Sequence, residues 1–243
     1  MMSNDQIRHG SYSRYYEFRS EDSRPSQLEQ YILPLLDRFG NQINMLDIGC
    51  NRGKLTESVF SVIRKLTADS GRCCRMLGVD IDGKLVQEAN REYLLEGLRF
   101  AQMDVHDVAV GKQIDNPVSE FLQEAGVRQF DIVFCFSILM YVHLNHGDEG
   151  LQKVLDYLCS RAKVLVIELQ SWQKYRDHAR RMRKEGGGEY VHYRLLKWKG
   201  SNGKLEEAVC NYVIAQGFKV LLSSCQKNEF NRNIVIFSRE SFM

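Results

Sequence analysis

An alternation that begins at residue 43 limits the fold more than any other feature of this chain. Short apolar runs at 43–48, 76–81, 98–103, 130–136 and 163–169 alternate with helical spacing at 54–66, 84–95, 118–124 and 150–160. Strands separated in this way need crossover connections, which are right-handed and place helices over both faces of a parallel sheet. The tail breaks the pattern. A helix at 205–216 leads through Gly217 into runs at 218–223 and 233–237, joined by a short polar turn. Two strands joined so closely cannot both run parallel to the sheet, so one is expected to be antiparallel. The expected architecture is α/β: a mostly parallel seven-stranded sheet with a C-terminal antiparallel hairpin and helices on both faces.

Leu28, Tyr31, Ile32, Leu35 and Leu36 recur at helical spacing within 27–39, so a helix should precede the first strand. Residues 1–24 are polar, interrupted by Tyr12, Tyr15, Tyr16 and Phe18, and read as an arm; residues 25–243 read as a single domain. The formal charge is only +2, so any nucleic-acid surface must be local. Seven cysteines without a C-x-x-C pair fit a reducing compartment better than a disulfide framework or a zinc site, and no metal is expected. No apolar run approaches the ~20 residues of a membrane span, and the first residues lack a signal-peptide core. These features predict a cytoplasmic protein with no membrane association, with the nucleus as a second location.

In an open parallel sheet, ligands bind beyond the carboxyl ends of the strands at the switch point. Four such ends carry matching chemistry here. After the first strand, Asp47-Ile48-Gly49-Cys50-Asn51-Arg52-Gly53 supplies two glycines that let the backbone approach a ligand. Asp80 ends the second run, where a carboxylate can accept both hydroxyls of a ribose. Asp104 follows the third and can accept from an adenine amino group; Phe136 and Ser137 end the fourth. A nicotinamide dinucleotide would call for G-x-G-x-x-G, whereas this loop reads G-C-N-R-G. The set points to S-adenosylmethionine and a class I, Rossmann-like methyltransferase fold.

The stretches L-D-I-G-C-N-R-G-K-L-T, G-V-D-I-D and C-F-S-I-L-M-Y-V-H-L-N-H-G-D-E-G-L together resemble the bicoid-interacting family of RNA 5′-phosphate methyltransferases. The run from Val142 to Leu151 is the most specific part. The resemblance implies that Arg19, Gly49, Asn51, Asp80, Ile81, Asp104, Val105 and Phe136 contact the cofactor. It implies an RNA substrate with a 5′-phosphate end. Glu168-Leu169-Gln170-Ser171-Trp172, followed by Tyr175, Ala179, Arg180, Arg181, Arg183 and Lys184, resembles the branch acting on 5′-monophosphates of small RNAs of the tRNA or microRNA-precursor type. Met140 agrees, because the γ-phosphate capping branch carries a lysine there. The N-terminal Tyr12, Tyr15, Tyr16 and Arg19 resemble the capping branch equally well, and the family's E-P-Q-P-W is E-L-Q-S-W here. Capping of triphosphate RNA, or a non-catalytic RNA-binding scaffold, are the alternatives.

His143, Asn145 and Gln170 are the expected donors to the acceptor phosphate; His146 reads better as filling a turn, with Asp148 capping the helix that follows. Past the fifth strand, Trp172, Tyr175, Ala179 and Met182 form one stripe, and Arg176, Arg180, Arg183 and Lys184 form another. Basic stripes are usually solvated faces. This one begins at a strand end that borders the site, so Arg176, Arg180 and Arg183, with Trp172 and Tyr16, are expected to bind RNA. Tyr16 can stack on a terminal base or belong to a lid. A terminal phosphate is largely a dianion at neutral pH, with a second pKa near ~6, so no acid–base dyad is required.

Overall fold

The computed structural model describes residues 8–10, 22–223, 228 and 232–242. Tyr12, Tyr15, Tyr16, Phe18 and Arg19 lie outside the described residues. Seven strands form one sheet: β1 (Gln42–Ile48), β2 (Cys73–Asp80), β3 (Leu98–Gln102), β4 (Phe130–Phe136), β5 (Ala162–Glu168), β6 (Phe218–Ser223) and β7 (Ile234–Arg239). Their order is β3-β2-β1-β4-β5-β7-β6, and β7 runs antiparallel to both β5 and β6. The direction of winding reverses between β1 and β4, which pair in parallel with Ile48 opposite Cys135.

Eight α-helices have both ends among the described residues: α1 (Arg24–Leu36), α2 (Lys54–Thr67), α3 (Gly83–Glu92), α4 (Val105–Ala109), α5 (Pro117–Ala125), α6 (Leu139–Arg161), α7 (Trp172–Lys184) and α8 (Lys204–Ala215). Their ends carry the expected chemistry. The Asp82 and Asn116 side chains cap α3 and α5, and Pro117 opens α5 where a missing N–H costs nothing. In α2, Leu55, Val59, Phe60 and Ile63 point inward at helical spacing.

The central strands are buried on both faces, and their side chains alternate between two cores. Ile43 and Met45, Ile132 and Phe134, and Val164 and Val166 pack with α1, α2 and α3. Leu46 and Ile48, Val133 and Cys135, and Leu165 and Ile167 face the layer that contains α5, α6, α7 and α8. This period of two inside continuous apolar runs gives a sheet with both faces covered.

One connection differs from expectation. His146 was expected to fill a turn, with Asp148 capping a helix at 150–160. Instead α6 starts at Leu139, directly after β4, and runs to Arg161 across a kink at Gly147 (φ 71°, ψ −172°). That backbone region is essentially closed to residues with a Cβ, so a single glycine permits two helical segments to join with a change of direction. Asp148 does not cap the second segment. Its carboxylate accepts from the backbone N–H groups of Lys197 and Trp198, at 2.8 Å each, and pins the connection ahead of α8.

Candidate active site

The β1–α2 loop is shaped by backbone bonds to the neighbouring strand. Gly49 and Cys50 donate to the Val79 carbonyl at 2.8 and 3.0 Å, and Gly53 closes the turn onto Cys50 at 2.9 Å. Gly49 has φ +82°, and a Cβ there would lie 2.0 Å from Cγ2 of Ile138. The glycine leaves a cradle that any larger residue would fill. Asn51 adopts φ 52°, and its N–H donates 2.8 Å to Oδ2 of Asp80. The other oxygen of Asp80 accepts from Asp82 N–H at 2.9 Å. Burial raises the Asp80 pKa, and these two bonds oppose the rise. Asp47 lies beneath the loop, buried, and accepts from the Thr56 hydroxyl at 2.6 Å. Burial pushes its pKa up to about 6.

Asp104 caps α4 by accepting from His106 and Asp107 N–H through Oδ1. Together with Gly49, Asn51, Asp80, Ile81, Val105 and Phe136 it lines one continuous cleft above β1, β2, β3 and β4. Every described member of the expected cofactor set is therefore brought to a single cleft. His146 lines it as well, stacked on His106 with ring centroids 3.5 Å apart. Burial, with His106 beside it, pushes the His146 pKa down to about 4.

The half of the cleft over β4, β5 and β7 is lined by Arg24, Ser137, Tyr141, Asn145, Gln170 and Arg232. Asn145 donates to the Tyr141 carbonyl at 2.8 Å and to that of Arg8 at 3.1 Å. Buried Gln170 donates from Nε2 to the Ser137 carbonyl. Ser137, at φ 61°, turns its hydroxyl onto Glu168, the last residue of β5. Glu168 is completely buried and also receives Nη1 of Arg24 and Nη1 of Arg232, each at 3.5 Å. Arg24 is held from its other side by Asp22 at 2.6 Å and lies over the Phe136 ring.

One expectation needs correction. His143 does not line this cleft: it is fully buried, with Nδ1 3.2 Å from the Tyr175 hydroxyl and Nε2 3.0 Å from Asp148. Helix geometry explains this, because α6 begins at once after β4 and turns position 143 inward while Tyr141 and Asn145 face the cleft. Met140, where the capping branch carries a lysine, is buried in the core and is not among the residues that line the cleft. On α7, Tyr175, Ala179 and Met182 are buried and Arg176, Arg180 and Arg183 are exposed. Trp172 is half-buried and stacks on Tyr193 at 5.6 Å. Among the described residues no group of three or more His, Cys, Asp or Glu is placed to hold a metal ion.

Arg24, Tyr141, Glu168 and Arg232 escaped the sequence reading as site residues, and Ser137 was read only as the end of the fourth strand, without its contact to Glu168. Arg24 and Arg232 lie far from any motif along the chain, and nothing local marks a serine that adopts positive φ. Only Glu168, inside E-L-Q-S-W, carried a signal.

Residues 130–239 match the family model described as Bicoid-interacting protein 3 (Bin3). The chain is 35% identical over 201 residues to the RNA 5′-monophosphate methyltransferase of Mus musculus, covering 79% of this chain and 67% of that one. It is 29% identical over 238 residues to the pre-miRNA 5′-monophosphate methyltransferase of Xenopus laevis, covering 94% and 91%. The 7SK snRNA methylphosphate capping enzyme of Mus musculus is 27% identical over 223 residues, covering 70% of this chain and 32% of that protein. Among solved structures, the N-methyltransferase NodS with S-adenosyl-L-homocysteine superposes with TM-score 0.58 at 16% identity, covering 98% of both chains. The citrinin polyketide synthase CMeT domain gives 0.60 at 13%, covering 98% of this chain and 59% of that one. These likenesses make the fold that of a class I methyltransferase, and the sequence relatives show that the chain belongs to the Bicoid-interacting protein 3 (Bin3) family.

Proposed function

We propose that this chain transfers a methyl group from S-adenosylmethionine to the 5′-monophosphate of a small RNA, of the tRNA or microRNA-precursor type. The observation that carries the reading is the continuity of one cleft, from the Gly49 cradle and Asp80 at one end to Gln170 and Arg232 at the other. The residues present fit the cofactor: a cradle at Gly49 that a Cβ would fill, and a buried carboxylate at Asp80. Gly49, Asn51, Asp80, Ile81, Asp104, Val105 and Phe136 would hold it. When bound, it supplies an electrophilic methyl group, whose bond to sulfur breaks as the phosphate oxygen bonds to carbon and the electron pair returns to sulfur.

The chain's own residues need only place the acceptor. A dianionic phosphate oxygen needs no base, and holding it on axis lowers the barrier by several kcal/mol or more. Gln170, on the acceptor side, would orient it, and Asn145, whose amide N–H groups go to the Tyr141 and Arg8 carbonyls, would hold the wall beside it; the exposed Arg176, Arg180 and Arg183, with Trp172, would meet the RNA beyond its end.

The test is incubation with labelled S-adenosylmethionine and one RNA carrying a 5′-monophosphate, triphosphate or hydroxyl. Methylation of the monophosphate at least roughly tenfold more efficient than of the triphosphate, and none of the hydroxyl, is expected, because a triphosphate needs further cationic partners. Equal or better turnover of the triphosphate would favour γ-phosphate capping. No turnover on any RNA, with the cofactor bound, would favour a binding scaffold.

A further inference from the structure

We propose that Arg232 is the ligand of the acceptor phosphate, and that Glu168 and Ser137 are positioning residues that fix its guanidinium. The inference rests on the 5′-phosphate reading above and names the group that recognises that phosphate. Sheet order supplies the first argument. Arg232 enters from the connection just ahead of β7, whose Ile234 pairs with Glu168 of β5. Along the order β1-β4-β5-β7, its backbone stands three strand spacings from the β1 loop, about 14 Å at ~4.8 Å each. The side chain reaches back only as far as the ends of β4 and β5, where it meets Ser137 and Glu168. It therefore lines the half of the cleft away from Asp80 and Asp104.

The second argument is the buried carboxylate beneath it. Glu168 has no exposed surface and is shared by Arg24, Arg232, Ser137 and Asn228. A carboxylate is taken out of water at large cost, and cationic partners are what make it tolerable. Arg24 cannot be the phosphate ligand in this arrangement. Its Nε and Nη2 bond Asp22 at 2.8 and 2.6 Å, its Nη1 faces Glu168, and the residue is only 2% exposed. Arg232 is anchored to Glu168 and Ser137 through Nη1, and its side chain is 11% exposed where the cleft opens. Fixing one nitrogen of a planar guanidinium fixes the direction of its other N–H groups, and the fork matches the oxygens of a phosphate. Ser137 adds to the anchoring through its left-handed backbone, which carries both its hydroxyl to Glu168 and its carbonyl to Gln170.

The test compares binding of a 5′-monophosphate oligoribonucleotide with its 5′-hydroxyl counterpart, with S-adenosylhomocysteine present, alongside turnover of the monophosphate RNA. The wild type is expected to bind the phosphorylated end more tightly. Arg232→Ala should abolish that preference and lower kcat/KM about 100-fold, as loss of a charge-assisted bidentate contact does, with S-adenosylhomocysteine affinity and binding of 5′-hydroxyl RNA within about threefold of wild type. Arg232→Lys should restore part of the preference, and carries the same comparison if the alanine variant does not fold. Glu168→Gln should weaken the preference about tenfold while leaving S-adenosylhomocysteine affinity and binding of 5′-hydroxyl RNA within about threefold of wild type, a split that a purely structural role would not give. A variant that keeps the phosphate preference, or that loses cofactor affinity or 5′-hydroxyl RNA binding in equal measure, overturns the assignment of Arg232 while leaving methylation by the wild type intact. Failure of the wild type to methylate or prefer the phosphorylated RNA overturns both readings.

Discussion

Asp47 pays a cost that its position makes unavoidable. It lies under the glycine loop with 3% of its surface exposed, and burial lifts its pKa to about 6, against the ordinary ~3.9. A carboxyl group whose folded pKa exceeds its unfolded one contributes stability below the unfolded value and loses it as pH rises through the folded value. The window here runs from about pH 4 to above about pH 6, and the loss is ~1–3 kcal/mol. Asp47→Asn keeps an oxygen for the Thr56 hydroxyl and removes the charge. Its melting temperature relative to wild type should therefore climb by several degrees between pH 5 and pH 7.5, at ~2–4 °C per kcal/mol for a chain of this size. Melting curves whose difference is flat across that range would show that Asp47 is not the titrating group. At this scale the sequence was legible where a side chain's type announced its chemistry, as with Asp80 at a strand end. It was illegible where the backbone decided, as at Ser137, whose positive φ brings its hydroxyl to Glu168.

Among the elements, the parallel strands and their crossover helices were readable because each has a period of its own, while the segment after β4 was not. Histidine, asparagine and glycine in Val142-His143-Leu144-Asn145-His146-Gly147 suggest a turn, yet α6 carries them as helix up to a kink at Gly147. Tertiary packing overrides weak helix propensity there: Leu139, Met140, Val142 and Leu144 are all buried. The consequence is functional, since the helix turns Asn145 toward the cleft and His143 away from it. The basic face of α7 was legible as a stripe and read as an RNA surface, and its arginines are exposed. Arg180 and Arg183 make only long, exposed pairs with Asp177 and Glu189, at 3.7 Å each, which hold them weakly. Replacing Arg176, Arg180 and Arg183 by alanine should raise the KM for RNA and flatten its salt dependence by up to ~2 in log–log slope, at ~0.7 per phosphate contact on a single strand. Affinity for S-adenosylhomocysteine should stay put. If the RNA salt slope survives the triple change, the stripe serves solubility alone.

At the scale of the whole molecule, the cleft joins what the sheet keeps apart. Loops from β1, β2 and β3 form one wall, and the ends of β4 and β5 with Arg232 form the other. Arg24, at the start of α1, reaches across to Glu168 and ties the helix layer below the sheet to the same place. The mostly parallel sheet with its terminal antiparallel hairpin was legible, because alternating elements leave few allowed topologies, whereas the order of the strands comes from the structure. The far wall was not legible, because Arg24, Glu168 and Arg232 are separated by 144 and 64 residues along the chain and meet only after folding. A ligand that fills such a cleft binds the folded state alone, so its affinity adds to stability. At one hundred times its Kd the gain is ~2.7 kcal/mol, and for a chain this long that is a rise of roughly 5–10 °C in Tm. S-adenosylhomocysteine should produce a shift of that size in the wild type. Asp80→Ala removes the carboxylate at the ribose end and should weaken binding by ~2 kcal/mol, about 30-fold. At the same ligand concentration the stabilisation then falls below ~1 kcal/mol, and the shift to ~2–4 °C. Calorimetric titration of both proteins measures the affinities directly. An undiminished shift in Asp80→Ala would move the ribose away from β2, whereas no shift in the wild type would remove the cofactor from the cleft altogether.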